Sequence, residues 1–303
     1  MEAKTGGRRM EPEDAPPQKG AEGEDSSRKI RRIQPAEGWG GEQLFAWARE
    51  LWEYRDLLWS LAVRDLRLRY RQTALGVLWV VFQPLAGAGI FAVVFGWVAG
   101  FSKGKEHYFL YSMAGLLAWN CFQSTFLKAS MSVVANGALV AKVYFPRMLL
   151  PLSTVLSTMV DLCIGLGAFS VVAWTEGCPP SFGLLWLPCW VGLGLLFALG
   201  MGMMAAALMT RFRDVQHVLP MLLPFFLYAT PVAYGLESVP ERWRMILGLN
   251  PVSWMVQGVR SGLCRFEGVP WNGMVYSTGV ALAAFLVGGL CFRRMERSLA
   301  DVL

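Results

Sequence analysis

Runs of apolar residues, each about 20 or more long, are what most restricts the folds open to this chain. At 1.5 Å per residue a run of that length crosses the ~30 Å hydrocarbon core of a bilayer as a single α-helix. Of the 303 residues, 54% are apolar and 17% charged, whereas soluble domains carry nearer a quarter charged residues. A soluble fold cannot hide that much hydrocarbon, so the solvent is lipid. The chain reads as an all-α polytopic membrane protein.

Six transmembrane helices are expected, at about 75–101, 109–134, 148–174, 184–209, 218–234 and 274–292. Gln83 and Pro84 interrupt the first, and Pro220, Pro224 and Pro231 fall in the fifth. Orientation follows from the basic residues, which stay in the cytoplasm when they flank a span. One side would hold Arg55, Arg64, Arg67, Arg69, Arg71, Lys142, Arg147, Arg211, Arg213, Arg293, Arg294 and Arg297. The other would hold Lys103, Lys105, Arg242, Arg244, Arg260 and Arg265. That two-to-one ratio puts both termini inside, N-in and C-in.

Three stretches frame the spans. Residues 1–41 are rich in charged residues, Pro and Gly and poor in branched apolar ones, the composition of a disordered cytoplasmic tail. Over 42–73, Leu44, Trp47, Leu51, Tyr54, Leu58 and Leu61 recur at gaps of three and four, which predicts an amphipathic interfacial helix. It leads into a basic collar, Arg64 to Thr73, whose alternation of Arg with Leu and Tyr also suits a short strand. The six-helix transmembrane domain then occupies 74–303. Within it, the external connection at about 235–272 is too apolar for an ordinary loop and is broken by Asn250 and Pro251. Two short helices joined there are expected, either as a re-entrant hairpin covered by protein or as a pair resting on the outer surface.

Few residues could carry chemistry. Asp161 stands near the middle of its span, where a carboxylate costs ~2.5–3.5 kcal/mol unless it faces protein or water. It either contacts a substrate or pairs with Lys128 or a helix amide. Trp79, Phe82, Trp119 and Phe122 are belt and core residues or, with the amides of Asn120 and Gln123, a surface for sugar rings, whose C–H faces are apolar. The six cysteines show no CxxC spacing and the two histidines are far apart, so no metal site is expected. Gly104 and Lys105 come nearest to a phosphate-cradling loop, but Ala99 stands where the first glycine belongs and Glu106 where Ser or Thr belongs. The chain therefore has no nucleotide site of its own and is not expected to be an enzyme. Its net charge of +6 gathers at span ends, which gives no surface for nucleic acid.

The runs RDLRLRYRQTALGVLWVVFQPL, NGALVAKVYFPRMLLPLS, LNPVSWMVQGVR and FRRMERSLADVL, in that order, resemble the permease subunit of ABC exporters for O-antigen, capsular polysaccharide or teichoic acid. The resemblance covers nearly all of the chain after the tail. It implies a multi-pass protein of the bacterial inner membrane that works as a homodimer. Each copy would dock one cytoplasmic ABC ATPase holding the ATP and magnesium, and a lipid-linked polysaccharide would leave between the copies. It also implies roles for residues. Lys142, Tyr144, Phe145, Pro146 and Arg147 would contact the ATPase. Arg64, Asp65, Arg67, Arg69, Tyr70 and Arg71 would form the cytoplasmic entry, with Arg64, Arg67, Arg69 and Arg71 either receiving a pyrophosphate head or serving topology alone. Trp79, Phe82, Trp119, Asn120, Phe122, Gln123 and Asp161 would border the path, and Asn250, Pro251 and Trp254 an external gate. The rival readings are an ABC exporter permease for a drug or haem-like molecule, and a membrane-embedded glycan enzyme, which would need an acid pair or acid-histidine constellation.

Overall fold

The computed structural model describes residues 49, 52–70, 78–101, 107–143, 145–179, 181–264, 268 and 270–300, with backbone alone at 70 and 297–300. The 1–41 tail, the beginning of the interfacial stretch, Arg71 and Tyr144 lie outside the described residues, as do Lys103, Lys105 and Arg265. The elements among the described residues are α-helices with short 3-10 and π turns, joined by irregular segments.

Helix α1 spans Arg55–Tyr70, with Asp56 in its first turn and Arg67 and Arg69 in its last, charges that oppose the helix dipole favourably. The collar from Arg64 to Tyr70 is thus the end of a helix, not a strand. Leu61 and Ala62 are buried and α1 packs on the helix that begins at Leu149, while Trp52 and Trp59 stay exposed. Helix α2, Leu78–Phe91, keeps Pro84 inside and widens into a π turn over Ala92–Val98.

Helix α3, Tyr108–Ala135, is the hub: it touches α2 and the later helices that begin at Leu149, Leu187 and Pro251. It starts after His107, held in the left-handed region at φ 58°. Short helix α4, Gly137–Lys142, follows. Helix α5, Leu149–Thr175, and helix α6, Leu187–Arg211, pack on two sides of α3. Gly202 brings α6 close to α3, since a Cβ there would stand 2.6 Å from that of Ala129.

Helix α7, Val215–Ala229, contains Pro220 and Pro224 and stops before Pro231, so it is shorter than the expected 218–234 run at its far end. Helices α8, Glu241–Gly248, and α9, Pro251–Leu263, meet at Asn250 as the Asn-Pro break implies. Helix α10, Trp271–Ala300, lies along α6.

Four described helical segments are long and apolar enough to cross a membrane: Leu78–Val98, Leu149–Thr175, Phe182–Arg211 and Trp271–Glu296. Val215–Ala229 is apolar but shorter. α3 has the length, 28 residues, but its Ser, Thr, Asn, Gln and Lys lower its hydropathy. Its protein neighbours cover many of the residues that lipid would reject: Ser112, Thr125, Ser130 and Ser132 are buried, and Asn120, Gln123, Ser124 and Lys128 are half-buried. The protein is a polytopic, all-helical membrane protein.

Candidate functional site

A cavity of about 330 Å3 opens where α1, α2, α3 and α5 converge. Its polar wall contains Arg69, Gln83, Asn120, Gln123, Ser124 and Asp161, and Trp79 stands among the lining residues. Asp161 lies twelve residues into α5, about 18 Å along the helix at 1.5 Å per residue.

Asp161 is paired, and more richly than sequence suggested. The Arg69 guanidinium at the end of α1 donates to its Oδ2. Lys128 Nζ lies 3.3 Å from the same oxygen and also donates to Ser157 Oγ at 3.0 Å and Thr158 Oγ1 at 3.3 Å. The Lys128 pairing was foreseeable as an option. The Arg69 contact was not, because nothing in the spacing of residues 69 and 161 places α1 against α5.

The aromatic candidates separate. Trp119 and Phe122 are buried within the protein, and Phe122 stacks with Phe126 and Phe197 at centroid distances of 6.0 and 5.7 Å. Neither lines the cavity. Trp119 acts on it at one remove, its indole N–H donating to Gln123 Oε1 at 2.6 Å. Trp79 and Phe82 are exposed on α2 and meet edge to face at 5.8 Å.

Arg64 donates to Asp65 Oδ1 at 2.7 Å and to Asn136 Oδ1 at 2.6 Å, and Ser153 donates to Asp65 Oδ2 at 3.4 Å. These bonds tie α1 to the α3–α4 junction and to α5. Arg67 points away, exposed. At the next corner Lys142 ends α4 and is exposed, whereas Phe145 is buried and the Arg147 backbone N–H donates to Glu296 Oε1 at 3.0 Å. Phe145 is therefore not a surface contact in this chain; with Arg147 it seats the corner against the bundle.

At the opposite end of the bundle, Asn250 caps α9. Its Oδ1 accepts from Val252 N at 3.0 Å and its amide donates to Thr230 Oγ1 at 3.0 Å. Pro251 opens α9, where its missing N–H costs nothing. Trp254 donates to Gly248 O at 2.7 Å and packs over Gly273, where a Cβ would overlap the indole.

Arg260 was missed. Read as an external basic flank, it is only 1% exposed, with its guanidinium 3.8 Å over the Tyr111 ring. It donates to Tyr111 O at 3.2 Å, to Tyr111 Oη at 2.9 Å, to Pro231 O at 2.8 Å and to Val232 O. It cannot count toward orientation. The available signal was its setting, since Gly258, Ser261 and Gly262 around it give the small contour that close packing needs.

The described residues hold no group of three His, Cys, Asp or Glu that could bind a metal. What the cavity can do is bind: a guanidinium, amides and hydroxyls converge on one recess. A model of the ABC-2 type transporter family matches residues 56–264. The chain belongs to that family. ABC-2 type permeases are transport subunits and pair with an ATPase subunit, so the ATPase is a separate chain. Like its relatives, this permease is a multi-pass protein of the bacterial inner membrane.

The chain is 31% identical over 206 residues to the O-antigen export system permease protein RfbA of Myxococcus xanthus, covering 67% of this chain and 78% of that one. It is 27% identical over 253 residues to an RfbA of Klebsiella pneumoniae, 82% and 95% of the two chains. Similarity extends to the polysialic acid transport protein KpsM of Escherichia coli, 23% over 248 residues, 79% and 93%.

Proposed function

We propose that this chain is the permease of an ATP-driven exporter that carries a lipid-linked, O-antigen-like polysaccharide out of the cytoplasm across the inner membrane. The observation that carries this reading is the likeness to O-antigen export permeases along most of their length. The finer organisation belongs to the same proposal. α2, α3, α5, α6, α7 and α10 are the six spans, with both termini inside; the short α7 is completed by the turn at 230–234. Residues 1–41 are a cytoplasmic tail, 42–73 the interfacial segment and 74–303 the transmembrane domain. Helices α8 and α9 dip into the outer leaflet as the gate, with Asn250 and Trp254 holding their junction. Two copies form the path, each docked on one of two ATPase subunits, with ATP and magnesium in those subunits.

Deleting the gene, with no redundant copy present, tests the function. Glycan on its lipid carrier is expected to accumulate inside while the surface polysaccharide disappears; unchanged surface glycan would discard the reading.

Coupling falls to α4. Gly137, Ala138, Ala141, Lys142 and Val143 are exposed, and the buried Phe145 behind them transmits force because it cannot shift without disturbing the bundle. Ala138 and Lys142 share one face of α4. Changing both to Glu is expected to leave the permease inserted and to weaken ATPase docking by about fivefold or more, as loss of an interface anchor does. Co-purification of the two subunits measures it; undiminished docking and glycan-dependent ATP turnover would remove α4 from the contact.

A further inference from the structure

We propose that α10 is the link that carries motion from the ATPase side of the permease to the outer hairpin of α8 and α9, with Glu296 and Tyr276 as positioning residues at its two ends. The proposal deepens the coupling and gate assignments made above and rests on them. It starts from what α10 holds. Near its inner end, Glu296 Oε1 accepts from the Arg147 backbone N–H at 3.0 Å, in the corner between α4 and α5. Near its outer end, the Tyr276 hydroxyl donates to Leu249 O at 2.7 Å and Ser277 Oγ to Pro251 O at 3.5 Å. Those two carbonyls flank Asn250, where α8 meets α9. At each end the partner is a backbone atom, so the bond follows the position of the chain and not the swing of a side chain.

The helix between these contacts is suited to transmit. Trp271–Ala300 is unbroken and free of proline, whereas α2 holds Pro84 and α7 holds Pro220 and Pro224, and proline is a usual cause of kinks. Tyr276 and Glu296 are about 30 Å apart along it at 1.5 Å per residue, so one stiff element reaches from one to the other. It meets α6 backbone against backbone at Gly200, Ala284 and Gly288. Packed helices shift against one another by small sliding motions.

α3 also runs from the coupling corner to the hairpin, since it leads into α4 and its Tyr111 receives Arg260 of α9. It is enclosed, however: α2, α5, α6 and α9 all pack on it, so it cannot shift without disturbing each of them. α10 packs broadly on α6 and α9 alone among the described residues, and Val275, Leu282, Leu286 and Leu290 form an exposed stripe on its far side. Of the two helices, α10 is the one with room to move. When the nucleotide state moves α4 and the corner behind it, Glu296 follows Arg147, α10 slides on α6, and Tyr276 pulls on Leu249 O and opens the junction of α8 with α9.

The test is hydrogen–deuterium exchange, read by mass spectrometry, on the purified permease–ATPase complex in lipid nanodiscs, without nucleotide and with the ATPase trapped by ATP and vanadate. Trapping is expected to speed amide exchange over residues 249–255 by about threefold or more, the scale of one hydrogen bond lost, and to alter exchange over 137–143 as well. Tyr276→Phe and Glu296→Ala should each abolish most of the hairpin response, while the response of α4, the rate of ATP hydrolysis and the unfolding midpoint stay near wild type. A merely structural role would lower the midpoint and leave the response in place. Val275→Ala, on the exposed stripe of the same helix, should respond as the wild type does. A full hairpin response in both Tyr276→Phe and Glu296→Ala, a response lost equally in Val275→Ala, or none in the wild type overturns the proposal. The measurement contains no glycan, so its failure leaves the deletion test of export untouched.

Discussion

Arg260→Ala is expected to leave little folded permease in the membrane. The guanidinium it removes is the donor to Pro231 O and Val232 O, carbonyls in the irregular segment after α7. Each buried carbonyl stranded in this way costs ~1–3 kcal/mol, so two cost several kcal/mol together. That is a large share of the 5–15 kcal/mol by which domains are ordinarily stable. Lysine offers no planar fork and should not rescue. Gly115→Ala should injure the same clamp from the other side, because its Cβ would stand 2.6 Å from Arg260 Nη2 and 3.0 Å from Val232 O. The yield of monodisperse protein after detergent extraction, with its unfolding midpoint, measures both. Wild-type values for Arg260→Ala would show that α9 is held to α3 by apolar packing alone.

The second large effect lies at the crossing of α6 and α10. A Cβ on Gly200 would stand 2.5 Å from the Ala284 carbonyl carbon and oxygen and from Phe285 N. These are backbone atoms, which cannot swing aside as a side chain does, and Gly288 on α10 is packed on the Gly200 backbone in turn. Small residues serve helices in lipid in this way, since close approach replaces the absent hydrophobic drive. Gly200→Leu must push the two helices apart and is expected to cost ~1–3 kcal/mol or more, as overpacked cores do. Gly192→Leu, in the same helix but with open space where its Cβ would go, is the control and should be near neutral. Equal midpoints for the two variants would deny that the crossing is tight.

Much of this architecture is legible in the sequence. Apolar runs place α2, α5, α6 and α10, and the Asn250–Pro251 pair places the junction of α8 with α9, because each rests on local chemistry: chain length against bilayer thickness, or a ring that cannot donate. Sequence fails where the answer depends on what covers a face. Trp119 and Phe122 carry no mark that would turn them inward, because α3 is enclosed by several helices and so shows no single apolar stripe. Arg69 and Asp161 are joined by tertiary packing alone. Arg260 misled for a different reason: a basic residue near a span end is ordinarily a topological flank, and here five acceptor groups within its reach make burial tolerable.

The polarity of α3 bears on how this protein comes to be made. It is synthesised after α2 and before α5 and α6, the two helices that shield its Lys128 and its serines, so for a time it is a costly guest in lipid. Lys128 meets its partners Ser157, Thr158 and Asp161 only after α5 has been made, so α3 is expected to stay with the insertion machinery for a time, a delay that Lys128→Leu should shorten.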